Sequence, residues 1–274
     1  TSFKSDADLQ MHPEKIFPSS ADEWTLDHYT GFIVREGKID NMPVWMLNSL
    51  WSTLATVALT VLVDLLTAYA VVFLNFRGKN TLMKFLLIWM AVPGVIGTAP
   101  SYAIFYTLRH SLNISSDVAT YAYIYMWLVV PGITGIFNML LMRNFFLSIP
   151  QDLKDSAYID GAGEVRTLVS IVLPLSTAII ATMALFYGVG NWNEFTAAII
   201  YNHEEKYYPI QVIIQRMYSE SVKKVMDDEV ASRRLASEAI KSATVVFGTL
   251  PIVCVYPFLQ KHFAKGVMVG SLKG

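Results

Sequence analysis

The chain has 274 residues, 54% of them hydrophobic and 16% charged, with a mean hydropathy of +0.42. Soluble domains average about 25% charged residues, and a net charge of −1 excludes nucleic-acid binding driven by bulk basicity. The single cysteine, Cys254, excludes a disulfide framework and a thiolate metal cage.

Taken in chain order, a mostly polar leader over 1–43 carries four basic and eight acidic residues. Five stretches that follow contain no Asp, Glu, Lys or Arg: 44–63, 85–108, 118–142, 167–193 and 242–260, which together make 115 residues. A hydrocarbon core about 30 Å thick needs roughly 20 apolar residues of helix to cross it, and each stretch meets that length. None alternates apolar and polar positions as barrel strands do, so the crossing elements are helices with their backbone groups satisfied internally. The fold class is an all-α membrane protein with five transmembrane helices.

Basic residues in the short connections set the orientation. Arg77, Lys79 and Lys84 follow the first stretch, Arg143, Lys154 and Arg166 the third, and Lys261, Lys265 and Lys273 the fifth. The link 109–117 has one basic residue. The reading places the leader 1–43, the link 109–117 and a loop over 200–240 outside. The 75–84 link, a loop over 148–174 and the tail 261–274 lie in the cytoplasm, around a transmembrane domain over 44–260. An outside leader without a signal-peptide core predicts a transmembrane helix upstream of Thr1.

Within the spans, Pro93 and Pro100 interrupt the second, Pro131 the third, Pro174 the fourth, and Pro251 and Pro257 the fifth. Each removes a backbone bond and kinks a helix; the kinks are either ordinary packing or the bends of a path that opens and closes. Asp64 is ionisable and deep in the apolar region, so it faces protein or water rather than lipid. It is either a relay or substrate contact, or it sits nearer the cytoplasmic end or bonds a neighbouring helix. Asn191, Trp192, Asn193 and Glu194 end the fourth stretch and either line a passage for a polar solute or form the interfacial end of a span. No Lys or Arg lies in the spans, so an acidic solute would be held by a partner or by backbone and hydroxyl donors.

Enzyme chemistry has little to stand on. The histidines His12, His28, His110, His203 and His262 are scattered without metal-ligand spacing, and no H-E-x-x-H, G-x-S-x-G or phosphate-cradling G-x-x-x-x-G-K-[ST] occurs. The expectation is no enzyme activity, no metal and no cofactor in this chain, with any energy supplied by a partner.

The loop 148–174 is the most informative segment. Pro150 at a helix start, acids in the first turn and Gly161 at its end predict a short exposed helix over 151–160. Leu153, Ala157 and Tyr158 form a small apolar face flanked by Asp155 and Asp160, suited to docking in a cleft of a soluble partner. A second helix begins near Gly163 and runs into the membrane.

These residues carry a family resemblance. Ala157-x-x-Asp160-Gly161-Ala162, followed by Ile171-x-Leu173-Pro174, resembles the EAA loop of binding-protein-dependent ABC-importer permeases. Asn48-Ser49, Ala68-Tyr69-Ala70 with Phe76-Arg77-Gly78-Lys79, and the tail from Pro257 through Gly266 and Gly270 to Gly274 are similar to the carbohydrate, MalG-like branch. The form Tyr256-Pro257-Phe258-Leu259-Gln260 is most similar to importers of aldouronate and alginate oligosaccharides. Asp155-Ser156-Ala157 stands where the family has Glu-Ala-Ala, keeping the acid one methylene shorter.

The resemblance implies a type I ABC importer permease fold of six helices. It also implies a second, different permease subunit as heterodimer partner, two ATP-binding subunits that hold the ATP and Mg, an extracytoplasmic solute-binding protein, and an oligosaccharide substrate crossing a lipid membrane. Leu153, Asp155, Ser156, Ala157, Tyr158, Asp160, Gly161 and Ala162 are then the ATPase-coupling residues. Asn191, Trp192, Asn193 and Glu194 become the substrate path, and His203, Glu204, Glu205, Tyr207 and Tyr208 the tip that meets the binding protein. Two other readings fit the residues: an ion-coupled secondary carrier using Asp64, and a membrane sensing protein whose loop recruits a soluble enzyme.

Overall fold

The computed structural model describes residues 2–12, 14–27, 29, 34–35, 38–39, 42–133, 135–227 and 242–257 without 244, 247 and 256. His28, Tyr256, the tail motif after Pro257 and residues 228–240 of the 200–240 loop lie outside the described residues. The described elements are α1 (Asp6–Met11), a hairpin of β1 (Val34–Arg35) and β2 (Lys38–Ile39), then α2 (Met42–Phe73), α3 (Lys79–Met90), α4 (Thr98–Ser111), α5 (Asp117–Val129), α6 (Ile136–Leu147), α7 (Gln151–Ile159), α8 (Glu164–Thr167), α9 (Thr177–Trp192), α10 (Thr196–Tyr201) and α11 (Ile210–Asp227). The antiparallel hairpin, two residues per strand with Val34 opposite Ile39, departs from the all-helical expectation.

By internal packing the chain divides into two units, 1–51 with 192–254 and 52–191 with 255–274. In the first unit the leader is locally ordered rather than a plain polar lead-in. Ser5 caps α1 by accepting from the Asp8 N–H at 3.1 Å. Lys4 and Asp8 form a buried ion pair at 3.4 Å. The Lys4 ammonium also donates to the His12 carbonyl at 2.6 Å, and Asp8 accepts from the Ser19 N–H at 3.2 Å. These extra bonds offset the desolvation of two buried charges.

The second unit has an apolar core. Leu65, Ala68 and Tyr69 from α2 meet Met142 and Phe146 from α6, Leu168 and Val172 beyond α8, and Met183 from α9. The α2 positions 61, 65, 68 and 72 recur at helical spacing, so one stripe of that helix faces the cluster.

By length and composition, α2 alone among the described helices can cross a membrane unaided. Lys79–Met90 with Gly94–Ser111 and Glu164–Leu175 with Thr177–Trp192 pass as bent pairs, at 90° and 79°, giving up to three spans. The uncharged stretches are therefore broken more deeply than a simple kink. The causes are visible: Pro93 stands in the gap between α3 and α4, and Pro131 in the gap between α5 and α6. Ahead of Pro174 the helix widens into a π turn at Leu168–Val172, because the proline ring and missing N–H disrupt the i→i−4 ladder.

Candidate functional site

The loop helix α7 starts directly after Pro150 and ends at Ile159, one residue short of the expected end. Its C-terminus closes as a Schellman turn. Gly161 N–H bonds to the Tyr158 carbonyl at 3.0 Å and Ala162 N–H to the Ala157 carbonyl at 2.9 Å. Gly161 sits at φ +78°, a left-handed conformation that a side chain makes costly. The chain then re-enters helix at α8 with Gly163 as its cap.

One side of α7 packs inward through Lys154 and Ala157, both 7% exposed and spaced i, i+3. Leu153, Asp155, Ser156, Tyr158, Asp160 and Gly161 are exposed, and Ala162 is half-buried. The expected apolar face of Leu153, Ala157 and Tyr158 is thus divided. Ala157 is buried, since its small side chain lets the helix lie close to the unit, and Tyr158 turns its hydroxyl to Glu164. Ile159, 87% exposed, and Val165 supply apolar surface that the spacing argument overlooked.

Lys154 joins this loop to the end of α2. Its ammonium donates to the carbonyl of Phe73, the last residue of α2, at 2.8 Å, and lies 3.9 Å from Glu164 Oε1. It also sits over the rings of Phe73 and Tyr158 at 5.3 and 5.1 Å. Glu164 accepts from the Tyr158 hydroxyl and, at 2.6 Å, from the Tyr69 hydroxyl. Burial alone would raise the Glu164 carboxyl, but these two hydrogen bonds and the Lys154 charge outweigh it and hold the group below the usual carboxylate range. Tyr158 is pushed up to about 12 by burial, by its bond to Glu164 and by the charges of Glu164 and Asp155.

Further along α2, Asp64 is buried and accepts from the Tyr187 hydroxyl of α9 at 2.5 Å. The same hydroxyl lies 3.3 Å from the Gly135 carbonyl, and any side chain at Gly135 would collide with it. Of the openings for Asp64, a bond to a neighbouring helix is present.

The segments expected at the far side differ from their reading. Tyr207 and Tyr208 are buried, while His203 and Glu205 are exposed and Glu204 is half-buried. Trp45 Nε1 donates to the Glu205 carbonyl at 2.8 Å, and Asn48 Nδ2 to the Lys206 and Tyr208 carbonyls at 3.3 and 3.2 Å. Ser49 Oγ accepts from the Ile210 N–H at 2.8 Å. The first turns of α2 therefore hold this backbone down, and the two tyrosines pack inward instead of forming a tip. Among the four residues expected to line a path, Trp192 is buried and donates to the Gly248 carbonyl at 2.9 Å. Asn191 donates to Thr53 Oγ1 at 3.3 Å, Glu194 accepts from the Ala197 N–H at 3.0 Å, and Asn193 is exposed.

Over residues 61–269 the chain matches the family described as the binding-protein-dependent transport system inner membrane component. The chain belongs to this family. The matched range contains the α7 loop, Lys154 and Glu164, and the core of the second unit. Over 274 residues the chain is 33% identical to protein LplC of Bacillus subtilis, covering all of this chain and 86% of that one. It is 33% identical over 231 residues to the polygalacturonan/rhamnogalacturonan transport system permease protein YtcP of Bacillus subtilis, covering 84% of this chain and 76% of that protein. The fold resembles a chain from the crystal structure of a bacterial ABC transporter involved in the import of the acidic polysaccharide alginate. That comparison has a TM-score of 0.71 at 20% identity, covering 96% of this chain and 87% of that one. Membership makes the chain a membrane component of a transport system rather than an enzyme.

Two features of this family member escaped the sequence reading. Lys154 and Glu164 flank the motif, but a lysine among three acids on a short helix reads as solvated. The second is a polar ladder on α2. Asn48, Ser52, Thr56, Thr60 and Asp64 recur every four residues and are all buried, a row about 24 Å long at 1.5 Å per residue. That spacing was present in the sequence as a polar i, i+4 row within an apolar run.

Proposed function

We propose that the chain is the transmembrane permease subunit of an ATP-driven importer of oligosaccharides. The observation that carries this reading is the family match across 61–269, which includes a short, capped and largely exposed helix in the loop between spans. Relatives named for polygalacturonan/rhamnogalacturonan transport and a fold neighbour from an alginate importer favour an acidic oligosaccharide. The 44–63, 85–108, 118–142, 167–193 and 242–260 stretches each contribute a crossing, some of them as bent pairs.

In the working complex a second, different permease completes the pathway and two ATP-binding subunits hold ATP and Mg. A solute-binding protein delivers substrate on the outer side. The ATP-binding subunits grip α7 through Leu153, Asp155, Ile159 and the turn at Gly161, and their closure moves the spans between inward-open and outward-open states. Such motion requires a docking free energy that differs between the two states. The test is uptake of labelled galacturonate or alginate oligosaccharides into proteoliposomes that hold the full complex and its binding protein. Uptake requiring ATP supports the reading; uptake driven by an ion gradient without ATP, or no flux at all, contradicts it.

A further inference from the structure

Among the charged residues of the 148–174 loop, Lys154 is the one that is buried, and the carbonyl to which it donates belongs to another element. We propose that Lys154 and Glu164 are positioning residues that clamp the loop to the C-terminal end of α2, so that loop and helix move as one lever in the transport cycle. This rests on the permease reading and adds to it the element that receives the motion.

The carbonyls of a helix's last turn have no partner within the helix, and the negative end of its dipole attracts cations. α2 has no basic residue in its own last turn, so its cations arrive from outside. Lys79 lies on the Val72 and Leu74 carbonyls at 3.3 and 3.2 Å, and Lys154 on the Phe73 carbonyl between them. A single contact of this kind would leave a pivot. The second contact, from Tyr69 to Glu164, enters α2 one turn earlier, at i, i+4 from Phe73. Two attachments a turn apart resist both sliding and rotation of the loop on the helix. Tyr158 links them, since its hydroxyl bonds to Glu164 and its ring lies beneath the Lys154 ammonium.

The other end of the lever is also built. Asp64 lies five residues before Tyr69 and is bonded to Tyr187 of α9. Gly135 permits that approach by lacking a side chain, just ahead of α6. Motion delivered at Phe73 and Tyr69 thus reaches a junction of three elements within the same unit. Spatial continuity alone does not establish energetic coupling, so the test measures coupling itself.

The experiment uses the full complex in proteoliposomes, with Lys154→Met, Lys154→Arg, Glu164→Leu and Tyr69→Phe. In Lys154→Met and Glu164→Leu, stimulation of ATP hydrolysis by the binding protein should fall about tenfold, the effect of losing a charge-assisted hydrogen bond. Basal hydrolysis should stay within about twofold, and Lys154→Arg should restore stimulation because it keeps a cationic donor. Spin labels at Ser156→Cys and Arg77→Cys, in a Cys254→Ser background, should hold one distance with and without ATP in the otherwise unaltered lever. In Lys154→Met they should separate between the two states. If Lys154→Met fails to assemble, Tyr69→Phe removes only one hydroxyl and should still lower stimulation by about threefold. Unchanged stimulation in assembled Lys154→Met, or equal loss in Lys154→Met and Lys154→Arg, overturns the lever while leaving the permease reading intact. Absence of any ATP-binding subunit from the unaltered complex overturns both.

Discussion

The two ends of α2 are anchored by different chemistry. In its first turns the helix does the reaching. The side chains of Trp45, Asn48 and Ser49 bond to backbone groups of Glu205, Lys206, Tyr208 and Ile210. In its last turns the helix is held from outside. Lys79 and Lys154 donate to its carbonyls, and Glu164 accepts from Tyr69. The first arrangement is neutral and depends little on the side chains of the segment it holds. The second is charged, so salt, pH and the identity of a loop residue all act on it. A permanent brace suits the first chemistry, and a contact that takes part in a working cycle suits the second.

Four substitutions sharpen or break that contrast, here in decreasing order of expected effect. Asn48→Leu removes two hydrogen bonds in a buried site and should cost about 3 kcal/mol, each stranded carbonyl contributing roughly 1–3. Thermal unfolding of the detergent-purified complex would measure it, and the loss should be the same at low and high salt. Lys154→Met should cost about 2 kcal/mol in the same assay, with the difference from the unaltered protein shrinking as salt rises. An equal salt response at the two ends would erase the distinction between them.

Gly161→Ala forces a side chain into a left-handed conformation and should cost about 1–2 kcal/mol. Its readout is loosening of α7 by hydrogen exchange at Gly161 and Ala162, whose N–H groups close the turn. Tyr158→Phe is the smallest, about 0.5 kcal/mol, because the pair it breaks is partly in water. It should also reshape the pH response. Glu164 is depressed in the folded protein, so its contribution is present above the unfolded carboxyl's value and is lost as pH falls through the folded one. Tyr158 is raised to about 12, so its contribution is full below its unfolded value and fades as pH rises toward about 12. The protection of α7 amides, measured relative to their intrinsic base-catalysed exchange rate, should therefore be flat near neutrality and fall at both extremes, with the alkaline fall missing in Tyr158→Phe.

Local rules made part of this legible. Pro150, the first-turn acids and Gly161 specify a helix start and stop through backbone geometry alone, and α7 ends within one residue of its expected limit. Prolines 93, 131 and 174 announced interruptions, but not bends of 90° and 79°, since a missing N–H fixes where a helix breaks and packing fixes how far it turns. Lys154 was illegible because its burial depends on a carbonyl 81 residues away. Tyr207 and Tyr208 read as a tip for a similar reason: their burial follows from Asn48 and Ser49, far off in the chain. The polar row from Asn48 to Asp64 is different: its four-residue spacing is written plainly in the sequence, inside a stretch whose dominant signal is its lack of charge.

The most direct test of the central claim is a photo-reactive amino acid placed at Ile159, on the exposed apolar surface of α7, in membranes holding the intact complex. Irradiation should yield a covalent adduct with the ATP-binding subunit, at a yield that changes when ATP is added. An intact complex whose Ile159 position captures only lipid, or nothing, would contradict the account.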